Sequence, residues 1–276
     1  MWGSDMVTRS QWIRVSRSAP CVICKRTDWC THTEDGAICC MRVESDKPMR
    51  NGGYLHRIGE GRKELCPVIR KPSAGEFLTS QAILTLLNSW EAATPNAALI
   101  AHASELGVEP IALKLLGACW ATDHRAWAFP MKNGKSETVG VRFRNVHGDK
   151  WALRSSHAGL FIPKIQPKPR VYICEGPTDT AAALTIGLYS IGRPSCVGCE
   201  DMVIEFLHQS KTQEVVIVAD HDEPGQKGAE RLQERLKQNS TIWTPAAKDM
   251  RAAVAVGIDL DLVEATVKDL KWRIKG

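Results

Sequence analysis

The sequence lacks the features that would place it in a membrane or export it. No run of eighteen apolar residues occurs among its 276 residues, which argues against a membrane-spanning helix. The first twelve residues contain no apolar segment of the kind that a signal peptide needs. No Walker motif occurs either, so we expect no helicase motor in this sequence. We therefore predict a soluble, cytoplasmic protein with no membrane partner.

Cysteine, in contrast, is frequent, with ten residues in a chain that shows no export signal. Such cysteines are more often metal ligands or reduced core thiols than disulfides. Five lie close together near the start, namely Cys21, Cys24, Cys30, Cys39 and Cys40. A Cys-x₂-Cys pair followed by further sulfurs is typical of a structural zinc site, whose metal supplies the folding free energy that a short segment lacks. The spacing leaves the fourth ligand open among Cys40, Cys39 and His32.

Charge is distributed unevenly along the chain. Residues 1–70 carry 12 Lys or Arg against 8 Asp or Glu, and residues 71–170 carry 12 against 7. Residues 171–276 carry 12 against 16. A basic N-terminal part and an acidic C-terminal part are typical of a protein that holds a polyanion with one part and acts on it with the other.

The stretch 171–225 contains two short apolar, β-branched runs bounded by breakers, as in strands buried on both faces of a parallel sheet. Glu175 ends the first run and Asp179 follows it, while Asp220 and Asp222 end the second. Because ligands bind at the carboxyl edge of such sheets, we expect these carboxylates to converge on a cation, most commonly Mg²⁺. This arrangement indicates phosphoryl transfer. For Asp179 alone, a simpler explanation is a first-turn acid that the helix dipole favours.

The combination resembles the Toprim domain of primases, type IA topoisomerases, small nucleases and recombination mediators. The resemblance rests on Glu-Gly-x-x-Asp after one strand and on Asp-x-Asp, with Pro-Gly behind it, after another. It extends over residues 170–250 or so. It implies that Glu175, Asp220 and Asp222 hold a divalent metal, Mg²⁺ or Mn²⁺, and that Asp179 is a supporting acid.

Two further segments resemble parts of primases. The run CVICKRTDWC…DGAICCMRVES…GGYLHR resembles the N-terminal zinc ribbon of phage and plasmid primases. This resemblance implies that the zinc ligands are Cys21, Cys24, Cys30 and Cys40. Cys39 and His32 are the alternative ligands. The run FPMKNGKSETVGVRFRN…GDKWALRSSHAGLFIP resembles the amino-terminal half of the primase catalytic core. That resemblance implies a basic strand face, lying against the metal site, that handles template or nucleotide phosphates through Arg142, Arg144 and Lys150.

A late Lys-Asp signature of the same family corresponds to Lys248-Asp249-Met250 and makes Lys248 a candidate nucleotide-binding residue. Here the sequence departs from the pattern, because related primases continue with Asn-Asp where this chain has Arg251-Ala252. The departure puts one secondary metal or nucleotide contact in doubt. The main carboxylates are unaffected by it.

The residues before the basic strands predict three helices. Apolar residues recur at helical spacing over residues 77–90, and Thr94-Pro95 supplies an N-cap and a first-turn proline for a second helix that ends at Gly107. A short third helix follows over residues 110–117. The turn between the last two resembles a helix-turn-helix, although few polar side chains of the third helix remain to read bases.

Further along, alternating apolar and polar residues predict strands at Trp127–Met131, Thr138–Arg144, Lys150–Arg154 and Leu160–Ile162. On the second of these strands, Arg142 and Arg144 alternate with apolar residues and share one face. Beyond the acidic residues we predict a helix over Gln226–Gln238, an edge strand over 241–245 and an amphipathic helix over Leu260–Ile274.

The order of the motifs separates the functions that a Toprim domain can serve. All three tyrosines precede Asp220, whereas a type IA topoisomerase needs a nucleophilic tyrosine after this domain. A recombination mediator places its cysteines close to the Toprim domain, whereas 135 positions separate Cys40 from Glu175 here. A primase is therefore the favoured interpretation.

We therefore predict a multidomain α/β protein. Residues 1–66 form the zinc ribbon, 67–75 a linker, 76–169 the N-terminal part of a primase core with helices and a basic β-meander, and 170–276 a Toprim domain with a Rossmann-like parallel sheet and flanking helices. Zn²⁺ is expected as the structural cofactor.

The predicted function is that of a DNA primase of phage or mobile-element type, a nucleotidyltransferase that needs Mg²⁺ or Mn²⁺ for catalysis. Its expected partners are a single-stranded DNA template, ribonucleoside triphosphates and a separate replicative helicase. The rival interpretation is a single-stranded-DNA-binding protein, or a Toprim nuclease, of a mobile element.

Overall fold

The structure is a computed structural model. It describes residues 12–16, 19–34, 36–49, 53–57, 77–236 and 239–275. The chain divides into two compact units, Met1–Gly75 (unit 1) and Glu76–Gly276 (unit 2). No helix within the described ranges is long and apolar enough to cross a membrane. The predicted linker, residues 67–75, lies outside the described residues.

The described part of unit 1 contains an antiparallel sheet with the order β1-β2-β3-β4. Its short strands are β1 (Ile13–Arg14), β2 (Thr31–His32), β3 (Ala37–Cys40) and β4 (Tyr54–Arg57). Its buried core is small and consists of Val15, Cys21, Cys30, Ile38, Cys40 and Val43. Because half of these residues are cysteines, apolar burial alone provides little folding free energy here.

Unit 2 begins with three helices, α1 (Ser80–Ala93), α2 (Asn96–Leu106) and α3 (Pro110–Leu115). Thr79 caps α1, since its hydroxyl accepts the N–H of Ala82. α3 has six residues and packs against a later helix through its buried side. A helix of less than two turns is a poor recognition element, so the helix-turn-helix alternative finds no support in this structure.

Thr94 does not cap the second helix, contrary to our prediction. Pro95 is the N-cap of α2, and it offers no side-chain hydrogen bond. The Thr94 hydroxyl instead donates to the Trp90 carbonyl, at 2.6 Å, and accepts the N–H of Trp120, at 2.8 Å. It therefore joins the end of α1 to the strand that follows the helices.

An antiparallel meander follows, with β5 (Cys119–Ala121), β6 (Ala126–Lys132), β7 (Thr138–Arg144) and β8 (Lys150–Ala152) in that order. One face packs against α1, where Ile83, Leu87 and Trp90 share a core with Val141 and Phe143. β6 and β7 lie close to the predicted strands Trp127–Met131 and Thr138–Arg144, whereas β5 was not predicted.

Two predicted strand bounds in this region are wrong. The strand that begins at Lys150 ends at Ala152 rather than Arg154, and Ser155 then has a left-handed φ of 55° that ends the extended backbone. Residues 160–162 form no strand of their own. Leu160 bridges to Lys132 and Phe161 bridges to Gly192, so this segment contacts two different sheets.

The second sheet of unit 2 is parallel, with the order β10-β9-β11-β12. Its strands are β9 (Arg170–Glu175), β10 (Ser190–Arg193), β11 (Glu214–Val218) and β12 (Ser240–Trp243), and the helices are α4 (Gly176–Thr185), α5 (Glu200–Gln209), α6 (Glu223–Leu236), α7 (Met250–Ala255) and α8 (Leu260–Lys275). Alternate strand residues belong to two separate cores, one on each face. This is the predicted multidomain α/β fold class, which is confirmed.

The bounds of one helix and one strand around this sheet differ from the predicted bounds, and neighbouring residues explain both differences. α6 begins at Glu223 rather than Gln226, because Asp222 caps it by accepting the N–H of Gly225 at 2.8 Å. The edge strand is Ser240–Trp243 and ends before Pro245, which has no N–H for a ladder.

The strand order places a switch point between β9 and β11. After β9 the chain crosses to β10 on one side, and after β11 it crosses to β12 on the other side. Such a reversal opens a crevice at the carboxyl ends of the two central strands, where ligands of open α/β sheets bind. Glu175 ends β9, and Asp220 follows β11.

Candidate functional site

Four sulfur atoms meet in unit 1. The Sγ atoms of Cys21, Cys24, Cys30 and Cys40, here called the cysteine cluster, all lie within 4.8 Å of one another. Backbone N–H groups point at two of them, since Met41 donates to Cys30 Sγ at 3.4 Å and Val43 donates to Cys40 Sγ at 3.3 Å. Burial raises the pKa of Cys30 to about 12, so metal binding would have to displace thiol protons. Four sulfurs at this spacing fit tetrahedral zinc.

The two reserve ligands are not part of this cluster. Cys39 precedes Cys40 on β3, and neighbouring residues of a strand point to opposite faces. Its sulfur lies beside Gly53, where a Cβ atom would be only 2.5 Å away. His32 lies on β2 and is not one of the four clustered ligands. The structure brings together the cysteines that the resemblance implied, and their zinc binding stays a prediction.

Carboxylates gather at the carboxyl edge of the parallel sheet in unit 2. Glu175 ends β9, and Asp179 lies in the first turn of α4. Asp220 and Asp222 occupy the loop between β11 and α6, while Asp249 is the N-cap of α7. We call these five residues the acid edge. Asp249 was noted in the sequence only as part of the Lys-Asp signature and was not assigned to the site.

The carboxylates of the acid edge lie close enough to perturb one another. The pKa of Asp220 is raised to about 7, first by burial and then by the charges of Asp179, Glu175 and Asp249. Burial also raises the pKa of Asp179 to about 6, and the N–H of Arg251, which donates to its Oδ1 at 3.0 Å, opposes that rise. Negative charges this close are stabilised by a bound cation.

The loop that carries Asp220 and Asp222 is held by the side chain of Gln226 and by close packing at Gly225. Gln226 donates from Nε2 to the Asp220 carbonyl at 2.9 Å and to Thr244 Oγ1 at 3.0 Å. A Cβ at Gly225 would lie 2.9 Å from the Asp220 carbonyl and 3.0 Å from Asp222 Oδ1. The glycine of the motif is therefore needed for close packing, and one oxygen of Asp222 stays available for another partner.

Two cations of the meander, Arg144 and Lys150, lie close enough to the acid edge to interact with its carboxylates. Arg142 and Arg144 are half-buried on β7, whereas the alternate residues Val141 and Phe143 are fully buried. Burial lowers the pKa of Arg144, and the charges of Asp179 and Asp249 oppose that shift. Burial raises the pKa of both Glu175 and Asp179, and the charge of Lys150 on β8 opposes each rise.

The remaining predicted binding residues are less directly placed. Arg142 approaches the Pro194 carbonyl from Nη2 at 3.5 Å, beside the loop that follows β10. The side chain of Lys248 is exposed, and its carbonyl accepts the N–H of His221 at 2.8 Å. Phosphate contacts by Arg142, Arg144, Lys150 and Lys248 stay predictions.

One cation near the acid edge was missed in the sequence. Arg193 ends β10, is 3 % exposed and pairs in register with Glu175 on the adjacent strand. After burial, which raises the pKa of Glu175, the charge of Arg193 is the strongest influence and lowers it. The only sequence signal was a lone arginine at the end of a short apolar run.

The acid edge fits a divalent ion of the Mg²⁺ type. Its donors are carboxylate oxygens, which hard cations prefer, and they come from the ends of neighbouring strands. Glu175, Asp220 and Asp222 are the residues that could hold the ion, and their ligand roles stay predictions. The nearby cations could contact phosphate groups.

Comparison with known proteins agrees with this geometry. Residues 172–254 match the protein family described as Toprim-like. The E. coli primase catalytic core superposes with a TM-score of 0.56 at 14 % identity, over 69 % of this chain and 79 % of that chain. A DNA primase domain from Pseudomonas aeruginosa has a TM-score of 0.52 at 12 % identity, over 67 % and 78 %. No curated protein matches the sequence.

Identities this low show a shared fold. The resemblance inferred from the sequence is confirmed at that level. The chain carries a Toprim-like segment within the fold of a primase catalytic core.

Proposed function

We propose that the chain is a DNA primase, which synthesises short RNA primers on single-stranded DNA by metal-dependent nucleotidyl transfer. The observation that carries the proposal is the acid edge at the β9–β11 switch point, with the cations of β7 and β8 facing it. Carboxylates for metal beside cations for phosphate are the two components that nucleotidyl transfer requires.

Each part of the site has a proposed role. Glu175, Asp220 and Asp222 hold Mg²⁺ or Mn²⁺, which when bound neutralises the triphosphate and lowers the pKa of the attacking 3′-hydroxyl. Arg144 and Lys150 orient phosphates of the nucleotide or template. Arg142 and Lys248 extend the same basic surface.

Asp179 acts as a supporting acid in this proposal. It accepts the N–H of Arg251 at 3.0 Å, and Asp249 accepts the N–H of Ala252 at 2.7 Å. These two bonds fix the start of α7 beside the acid edge. Asp179 thereby helps to shape the site, and it need not be a metal ligand.

Unit 1 is proposed to hold the template strand, with zinc at the cysteine cluster as its structural cofactor. Exposed Trp29 can stack on an unpaired base, and Lys25 and Arg26 beside it can contact phosphates. A separate replicative helicase is the expected protein partner, and a phage or other mobile element the expected origin, in the cytoplasm of the host.

The deciding experiment is primer synthesis with purified protein. Single-stranded templates of mixed sequence are incubated with labelled ribonucleotides and Mg²⁺ or Mn²⁺, with wild type and with Glu175→Gln and Asp220→Asn. These variants keep the side-chain shape and remove the charge that holds metal. Loss of electrostatic stabilisation should lower the rate by about 100-fold or more. Glu230→Gln, an exposed acid on α6, is the matched control and should retain the wild-type rate.

The products distinguish the rival functions. Short template-dependent RNA from wild type alone supports a primase. Degradation of the template by wild type alone would assign a Toprim nuclease instead. If neither product forms with any template or helicase, and the acid-edge variants bind DNA as wild type does, the chain is a single-stranded-DNA-binding protein.

A further inference from the structure

A buried arginine lies beside Glu175 in the parallel sheet. Arg193 and Glu175 are register partners at the ends of β10 and β9. The preceding partners on the same face, Ile191 and Ile173, belong to one core. Because residues two apart on a strand share a face, the side chains of Arg193 and Glu175 leave the sheet on that face too.

The guanidinium of Arg193 is poorly satisfied by hydrogen bonds. Its Nη1 donates to the Cys196 carbonyl at 2.9 Å, whereas its Nε is buried and has no partner among the described residues. Burying a charged group with an unmet N–H is unfavourable unless a nearby opposite charge compensates. The compensating group must therefore be a carboxylate.

Two carboxylates act on Arg193, and one of them is already neutralised. Glu200 is paired with Arg231 and with Arg235, each at 2.7 Å. Glu175 has no such pairing among the described residues, and the charges of Glu175 and Arg193 each favour the ionised form of the other. Glu175 is thus the carboxylate that Arg193 balances.

The backbone that carries Arg193 has little freedom to move. Gly192 exchanges two hydrogen bonds with Phe161, both 2.9 Å. A Cβ on Gly192 would collide with Thr180 of α4, so the strand end is packed tightly between these neighbours. Arg193 is consequently a cation at a fixed position.

We propose that Arg193 is a built-in counter-ion of Glu175 that weakens divalent metal binding to the free protein, so that the ion is retained together with the phosphates of the nucleotide. A fixed positive charge beside a metal ligand repels a divalent cation, and a triphosphate offsets that repulsion. This proposal deepens the proposed function and rests on it. Arg193 is a positioning residue, because it acts through Glu175.

The test is a titration of the full chain with Mn²⁺, without nucleotide or DNA, in which electron paramagnetic resonance measures the free ion. Arg193→Gln should bind Mn²⁺ at the acid edge about tenfold more tightly than wild type, because one repelling charge has gone. Arg193→Lys keeps the charge and should stay within about threefold of wild type. Arg231→Gln, an exposed arginine that pairs with Glu200, is the matched control and should leave the affinity unchanged.

A purely structural role for Arg193 predicts the opposite sign. In that case Arg193→Gln would disorder the end of β10 and bind Mn²⁺ more weakly, and either weaker or unchanged binding overturns the proposal. Arg193→Met, which fills similar volume without charge, replaces the glutamine variant if that variant does not fold by circular dichroism. Failure of both variants to fold also overturns the proposal, since the guanidinium would then be needed for the fold.

A second titration tests the coupling to nucleotide. With a non-hydrolysable ribonucleoside triphosphate present, wild type should gain more Mn²⁺ affinity than Arg193→Gln does. Equal gains would overturn the coupling. The titration without nucleotide can fail while wild type makes primers, and it can succeed while wild type makes none, so the two proposals are judged separately.

Discussion

The cysteine cluster and the acid edge bring together candidate metal ligands in different ways. The four cysteines come from residues 21–40 and are held by turns and very short strands around a small core. The carboxylates come from residues 175–249 and meet because β9, β11 and β12 lie side by side. We expect the first arrangement to depend on a bound metal for its stability, because its apolar core is small. The second is shaped by a large apolar core, which can compensate for the repulsion between its carboxylates.

The largest expected effect is the loss of zinc from unit 1. Cys40→Ser removes one of four ligands, so zinc content should fall from about one ion per chain to near zero. The lost binding free energy, on the order of 10 kcal/mol, should unfold unit 1 while unit 2 remains folded. Elemental analysis and proteolysis measure the two results.

Cys39→Ser is the matched control for this prediction. Its sulfur lies beside Gly53 and outside the cluster, so zinc should be retained. Zinc kept by Cys40→Ser and lost from Cys39→Ser would contradict the ligand set and leave the zinc module itself intact.

Unit 2 should respond instead to changes in its core. Ile217 is fully buried on β11 between two neighbouring strands. Ile217→Ala should lower the free energy of unfolding of unit 2 by about 2 to 5 kcal/mol, because it removes buried methyl groups and leaves a cavity. Denaturant unfolding measures the loss, and zinc content should stay unchanged.

Ile100→Ala, at a position that is 54 % exposed on α2, is the control and should change stability by about 0.5 kcal/mol or less. We expect the two units to be stabilised independently of each other. Release of zinc by Ile217→Ala would contradict that expectation.

The contrast between the units also explains what the sequence could predict. Glu175 and Asp220 were found because each follows an apolar run, a pattern that is local in the chain. The four clustered cysteines could likewise be predicted from their spacing in the sequence and from the resemblance to primase zinc ribbons. Arg193 was missed because its meaning depends on the pairing of β10 with β9, and nothing local to residues 190–193 reveals that register.

Two of the wrong predictions also reflect contacts that are distant in the sequence. Thr94 has the composition of an N-cap, yet its hydroxyl accepts the N–H of Trp120, which is 26 residues away in the chain. Residues 160–162 have the composition of a strand, yet they are divided between two sheets. In both cases a tertiary partner outweighed the local pattern, and the partner could be known only from the fold.

The stability of unit 2 should depend on pH, because the carboxylates of the acid edge repel one another when they are ionised. In protein dialysed free of Mg²⁺, burial and neighbouring charge hold the folded-state pKa of Asp220 at about 7, well above its unfolded value. Between roughly pH 4 and pH 7 the folded state therefore binds a proton that the unfolded state has released, so stability falls as pH rises. Asp220 should contribute about 2 kcal/mol to this loss, after allowance for screening by solvent.

Thermal unfolding of unit 2 at pH 5 and pH 8 measures that dependence. Asp220→Asn has no proton to lose and should show a flatter profile than wild type. Saturating Mg²⁺ at pH 8 should offset the destabilisation of wild type. A wild-type stability that rises between pH 5 and pH 8 more steeply than that of Asp220→Asn would contradict the predicted sign.

The smallest expected effect concerns the basic strand face opposite the acid edge. Neutralising Arg142 and Arg144 together, by substitution with glutamine, should weaken single-stranded DNA binding about tenfold, because each phosphate contact releases condensed counter-ions. The slope of log affinity against log salt should become shallower by about 0.7 for each lost contact. Zinc content should not change, since the cysteine cluster lies in the other unit.

Arg125→Gln, an exposed arginine in the turn between β5 and β6 of the same sheet, is the control. If the double variant keeps the wild-type slope, these two arginines do not contact nucleic acid, and Arg144 serves only as a cation beside Asp179 and Asp249.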